Sequence, residues 1–179
     1  MNVVVTASVG RTIDLMLAAT SLPNAEYFPA KFAALKLCRT DPYAKALVFT
    51  SGKMVCVGSV STELAKESLH WFIEQIQGTM PEKPLLVRDI TIQNIVGTTQ
   101  LSNLVKRINI NRVFRSASQN VQYEPEMFPG LSFRPDMAKQ LIMNVFASGK
   151  CVLTGAKTYE ELRELFASFQ SNVSNEVFW

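Results

Sequence analysis

Apolar positions along this chain fall into short β-rich runs and two longer stretches with helical spacing. Lys45 to Phe49 and Lys53 to Val57 are β-rich and flank Ser51-Gly52, a pattern that predicts a hairpin. Leu141 to Phe146 and Lys150 to Thr154 repeat it. Each hairpin is followed by an amphipathic stretch. Leu64, Ala65, Leu69, Phe72 and Ile76 form a stripe that predicts a helix over Ser61 to Gln77, ended by Gly78. In the other, Thr158-Tyr159-Glu160-Glu161 is a capping box ahead of Leu162, Leu165, Phe166 and Phe169. Shorter helices are expected earlier: Thr12 can cap one that carries Ile13, Leu15, Met16 and Ala19, and Leu101, Leu104, Val105 and Ile108 predict its counterpart.

The order strand, helix, several strands, helix thus occurs twice, and the residues themselves recur. Phe49-Thr50-Ser51-Gly52-Lys53 returns as Phe146-Ala147-Ser148-Gly149-Lys150, Tyr27-Phe28-Pro29 as Tyr123-Glu124-Pro125, and Asn2-Val3-Val4 as Asn94-Ile95-Val96. The mates stand about 95 residues apart, which suits a small domain duplicated once and is too long for a solenoid unit. The turn formers and prolines of Gly78 to Pro84 mark the join. We therefore expect a first repeat at 1–78, a linker and start of the second repeat at 79–90, and a second repeat at 91–179. The fold class is α+β, with helices on one face of an antiparallel sheet and the other face free to work.

Composition narrows the function classes. Hydrophobic residues make up 47% and charged residues 18%, the balance of a folded globular chain. No apolar stretch reaches the roughly 18 residues of a membrane span, and Met1 to Thr12 lacks the basic start of a secretory signal, so an intracellular protein without membrane contact is expected. Cys38, Cys56 and Cys151 are too scattered for a metal or redox pair and read as reduced, mostly buried thiols. The net charge of +3 permits a polyanionic partner without demanding one.

Chemistry of the catalytic kind has little to work with. His70 is the one histidine and sits on a predicted helix with no ligand spacing around it, so neither a metal, a cofactor nor an enzyme activity is expected. Phe32 and Phe128 follow the Tyr-x-Pro loops, while Phe49 and Phe146 precede Ser-Gly-Lys. Core packing is the common role of phenylalanine, but pairing at equivalent tips points elsewhere.

Six blocks carry a family resemblance: Asn24 to Tyr27, Phe32 to Ala34, Phe49 to Val55, Ile92 to Gly97, Tyr123 to Leu131 and Phe146 to Lys150. Together they resemble the TATA-box-binding protein family across nearly the whole chain. The resemblance implies a saddle of curved antiparallel sheet with helices on the convex face, built from two pseudo-symmetric repeats. It implies binding in the minor groove of double-stranded T/A-rich promoter DNA, kinked by the pairs Phe32 with Phe49 and Phe128 with Phe146. Asn2 and Asn94 match central groove donors, Thr154 a further one, and Val4, Val55, Val96 and Val152 an apolar floor that excludes the guanine amino group. Phosphate contacts are implied for Lys31, Ser51, Lys53, Arg134, Ser148, Lys150 and Lys157. Glu124 and Glu126 match the loop that docks transcription factor IIB, with transcription factor IIA, regulators and RNA polymerase as further partners. The expected location is the nucleus, or a replication compartment if the source is viral.

The chain also departs from that pattern. Val57 stands where Thr154 stands in the other half, Cys38 and Val60 replace basic residues, and Asn144 replaces an apolar one. The helix from Ser61 to Gln77 lacks the family's string of cations. A weaker phosphate grip in the first half and an altered preference at one half-site are the expected consequences. The competing readings are a relative acting mainly through protein contacts and a DNA-processing enzyme with a saddle-like domain.

Overall fold

The computed structural model describes residues 1–82, 84–101, 108–117, 119–136 and 140–173. The chain divides into two compact units, Met1–Gln93 and Asn94–Trp179. In the first, β1 (Asn2–Ser8), α1 (Leu15–Ser21), β2 (Ala25–Glu26), β3 (Leu35–Arg39), β4 (Ala44–Val48), β5 (Lys53–Ser59) and α2 (Thr62–Thr79) follow in order. The strands lie side by side as β2-β3-β4-β5-β1, all antiparallel. The strand β6 (Arg88–Gln100) runs across the division. The second unit continues with α3 (Ile110–Ser116), β7 (Val121–Gln122), β8 (Leu131–Phe133), β9 (Ile142–Val145), β10 (Lys150–Ala156) and α4 (Tyr159–Asn172), in the sheet order β6-β10-β9-β8-β7.

Strand alternation decides which face is which. Val3, Val5 and Ala7 of β1, Met54 and Cys56 of β5, and Ala44, Ala46 and Val48 of β4 are buried beneath α2, whose Ala65, Leu69, Phe72 and Ile76 meet them. Met143, Val145, Cys151 and Leu153 do the same beneath Leu165 and Phe169 of α4, where the Phe133 and Phe169 rings meet edge to face at 5.4 Å. Each fully buried phenylalanine or leucine contributes about 1.5–3 kcal/mol. The intervening residues, such as Val4, Thr6, Val55, Asn144 and Val152, are half-buried on a face that no helix among the described residues covers. Burial pushes the Cys56 thiol up to about 11 and the Cys151 thiol to about 12, so both stay protonated, whereas Cys38 is only half-buried. No helix among the described residues is long and apolar enough to cross a membrane.

The two long helices start where expected. Ser61 Oγ accepts from Leu64 N at 3.1 Å, and Thr158 and Glu161 form the full capping box. Gly78 does not end α2, which carries on through Thr79 because Met80 N still bonds back to the Gln77 carbonyl. The first short helix corrects the sequence expectation. Asp14, not Thr12, caps α1: its Oδ1 accepts from Met16 N and Leu17 N, both at 3.0 Å. Ile13 N is held by the Thr50 carbonyl at 2.9 Å, which keeps Thr12 and Ile13 outside the helix. Met16 consequently turns outward, and Leu15 and Ala18 face the core. In the second unit the helix expected from Leu101 to Ile108 falls on residues 102–107, outside the described residues, and the described short helix there is α3. Asn109 caps α3, and Ile108 N bonds the Ala147 carbonyl at 2.7 Å, the same tether that Ile13 makes. Leu104 and Val105 lie outside the described residues.

Candidate nucleic-acid interface

Each unit carries one asparagine locked in the same way. The β1–β5 register shifts between Val3 and Val5, and the β6–β10 register shifts between Leu153 and Ala156. At each bulge sits a glycine with positive φ, Gly58 at 99° and Gly155 at 91°. A side chain there would be strained, and at Gly155 it would also collide with the Gln140 carbonyl. The bulge turns the glycine N–H toward the neighbouring strand. Gly58 N donates to Asn2 Oδ1 at 2.8 Å, and Gly155 N donates to Asn94 Oδ1 at 2.9 Å. With its oxygen committed, each side chain offers only its NH2, a pure donor. Asn94 Nδ2 lies 3.3 Å from Thr154 Oγ1, a partner that Val57 cannot supply to Asn2.

Around these donors the uncovered face is lined by Val4 and Val55 in one unit and Val96 and Val152 in the other, all half-buried. Cross-strand pairing sets Lys36, Leu47, Val55 and Thr6 in one row of the first unit. Ser132, Asn144, Val152 and Thr98 form the matching row of the second.

The phenylalanines are mounted by equivalent loops. Phe32 N bonds the Phe28 carbonyl and Phe128 N the Glu124 carbonyl, each at 2.9 Å, so each ring ends a single helical turn. Phe49 and Phe146 open the hairpin turns, which Gly52 N and Gly149 N close onto their carbonyls. Phe128 and Phe146 meet edge to face at 5.7 Å, with Phe128 still 39% exposed. Gly130 permits this approach: a Cβ there would lie 2.8 Å from Phe128 Cε1 and 3.1 Å from Phe146 Cε1. Ala34 occupies the matching place in the first unit, and among the described residues no ring contact joins Phe32 to Phe49. The 42%-exposed Phe32 instead has the Lys36 ammonium 5.7 Å from its ring centre.

Lys31, Lys53, Arg134 and Lys150 are exposed. Lys53, Arg134 and Lys150 take the uncovered side by strand parity, and Ser51 and Ser148 sit in the hairpin turns. Lys157 lies just beyond β10, its backbone N–H held by Glu161 Oε2 at the entry to α4. Sequence reasoning missed Lys36 and Lys45, both exposed and on the uncovered side of β3 and β4. The parity of Leu35, Leu37, Ala44 and Ala46 was the signal that could have found them. Lys45 is held more firmly protonated than a free lysine, first through its hydrogen bond to the Tyr43 side chain. Arg39 faces the other way, bonding Glu67 at 3.0 Å and lying over the Trp71 ring. Glu124 and Glu126 are exposed, and Glu124 accepts from Gln122 Nε2 at 2.8 Å. His70 is exposed on α2.

Fold and site together define a class: a duplicated α+β protein, each half of which leaves uncovered a sheet face with one amide donor, an apolar lining and a phenylalanine at its loop tip. The family described as Transcription factor TFIID (or TATA-binding protein, TBP) matches residues 1–79 and 89–175. A TATA-box-binding protein of Tetrahymena thermophila is 38% identical over 92% of this chain and 65% of its own length, so the chain spans somewhat less than two thirds of that relative. One from Archaeoglobus fulgidus is 37% identical over 91% of this chain and 87% of its own. The solved structure of Methanococcus jannaschii TBP superposes with a TM-score of 0.78 at 32% identity, covering 96% of this chain and 95% of that one. The chain belongs to the TATA-binding protein family, and the structural match bears out the fold class expected from the sequence.

Proposed function

We propose that this protein is a general transcription initiation factor that binds the minor groove of T/A-rich promoter DNA, kinks it and recruits a transcription factor IIB-like protein and RNA polymerase. The observation that carries the reading is the duplicated lock, in which a bulge glycine N–H occupies the oxygen of Asn2 and of Asn94. Thymine O2 and adenine N3 are the acceptors on the groove floor, and a locked amide donor suits them. Val4, Val55, Val96 and Val152 beside it offer nothing to the guanine amino group, so a G·C pair would bury that donor unpaired.

Phe128 and Phe146, with Phe32 and Phe49, act as wedges between base steps, a mechanism of which TATA-binding protein is itself the established instance. Unstacking costs a few kcal/mol per step, and the bent duplex offsets this by covering more protein surface. Flexible TA steps make the deformation cheaper, which favours T/A-rich sites through shape. Lys31, Lys53, Arg134, Lys150 and Lys157 neutralise phosphates, with Ser51 and Ser148 as neutral donors, and the released counterions make affinity salt-dependent. Glu124 and Glu126 form the docking loop for the IIB-like protein.

The test is energy transfer between dyes at the two ends of a T/A-rich duplex. Phe128→Ala and Phe146→Ala are expected to abolish bending while circular dichroism stays native. Normal bending by both variants overturns the wedge reading. Glu124→Arg and Glu126→Arg are expected to lose the supershift by transcription factor IIB while DNA binding holds; equal loss of both places that loop in the groove instead.

A further inference from the structure

Leu47 and Asn144 are structural mates, each two residues ahead of a hairpin phenylalanine and each paired with a valine, Val55 or Val152. On its other side Leu47 pairs with Lys36 and Asn144 with Ser132. Ser132 Oγ donates to Asn144 Oδ1 at 2.8 Å, a side-chain hydrogen bond on the uncovered face that the apolar Leu47 cannot make. We propose that the Ser132–Asn144 pair admits a G·C base pair at one step of the second half-site, where Leu47 excludes it at the equivalent step of the first. This rests on the minor-groove reading above.

A hydroxyl can donate or accept, and an amide can turn end for end, so the pair keeps its internal bond in either of two states. With Ser132 donating, Asn144 presents its NH2 to a base acceptor. With Ser132 accepting, Asn144 presents its carbonyl oxygen, the partner that the guanine N2 amino group requires. Leu47 has neither state. A G·C pair over Leu47 leaves the amino group desolvated and unpaired, a defect that converts to about tenfold or more in affinity. Because both halves carry the locked asparagine and the paired valines, one G-tolerant step adds to the direction that Thr154 against Val57 already gives the bound protein on its site.

The experiment measures affinity at fixed salt for a T/A-rich duplex and for a panel in which one base pair at a time is changed to G·C. Wild-type protein is expected to lose about tenfold or more at most steps and less than about threefold at one. Asn144→Leu should make that step as costly as the rest, about a tenfold change there when each duplex is compared with the same variant's affinity for the all-T/A duplex. Ser132→Ala, which leaves the Asn144 side chain without its hydroxyl partner, should lose part of the tolerance. An unchanged G·C profile in both variants, with T/A preference intact, overturns this inference alone. Failure of wild-type protein to prefer T/A over G/C duplexes overturns the minor-groove reading and this proposal with it.

Discussion

Replacing Asn94 by aspartate separates the structural and recognition roles of one side chain. The aspartate keeps the shape and the acceptor oxygen for Gly155 N, now 2.9 Å from Asn94 Oδ1, and the Thr154 hydroxyl can turn to donate to the second oxygen. Stability should therefore hold within about 0.5 kcal/mol. Alanine at the same place leaves the part-buried Gly155 N–H without a side-chain acceptor, which costs about 1 kcal/mol and lowers the melting temperature of a unit this size by about 4–8 °C. DNA affinity should respond the other way round. The aspartate removes the NH2 donor, worth about 1–3 kcal/mol at a base, and sets a negative charge against base acceptors. A loss of about tenfold to a hundredfold or more is expected, and alanine, which only removes the donor, should lose less. Melting curves and gel-shift titrations of Asn94→Asp, Asn94→Ala and wild type suffice. If Asn94→Asp binds DNA like wild type, or melts like the alanine variant, the amide is not a recognition donor held by a structural lock.

Gly130→Ala should drive the Phe128 and Phe146 rings apart, because its Cβ falls 2.8 Å from one and 3.1 Å from the other; a native bend angle in that variant removes the paired-ring requirement. In the folded protein a small thiol reagent should label Cys38 well ahead of Cys56 and Cys151, as burial holds those two thiols protonated; equal labelling contradicts the burial. The same shifts make folding pH-dependent on the alkaline side. Their stabilisation is complete below the ordinary value of 9.0 and is lost as pH rises toward about 11 for Cys56 and about 12 for Cys151, because the unfolded chain ionises first. Denaturant midpoints should fall over that range, less steeply in Cys151→Ala, and identical slopes would refute the assignment.

The repeat, the hairpins and the starts of the two long helices were legible because each rests on local pattern: Ser-Gly turns, caps and stripes at helical spacing. The cap of the first short helix was misplaced because two acceptors compete within a few residues. Asp14 wins over Thr12 once Ile13 N is tied to Thr50 across the loop, and that tether joins residues distant in sequence. The asparagines were legible as a repeated pair, but not the lock that orients them. It needs a bulge register and a positive-φ glycine on a strand more than fifty residues away. The lock spends each oxygen on a backbone N–H, and that leaves the amide to donate.

Lys36 and Lys45 change the expected division between the halves. Absence of basic residues at Cys38 and Val60 suggests a first half that grips phosphate loosely, yet strand parity sets both lysines on its uncovered side, where the second half has Ser132 and Ile142. The second half is instead richer in hydrogen-bonding groups on that side, with Asn94, Thr154 and Asn144 against Asn2, Val57 and Leu47. Charge acts on phosphates of any sequence, and hydrogen-bonding groups act on bases, so perturbations of the two kinds of group should register in different measurements. Lys36→Ala and Lys45→Ala should each lower the slope of log affinity against log salt by about 0.9 and leave the order of preferred sequences alone. Thr154→Val should leave the slope alone and alter the preference at one half-site. Unchanged slopes in both lysine variants would show that these side chains reach no phosphate, and a changed slope with unaltered preference in Thr154→Val would show that Thr154 does not read bases.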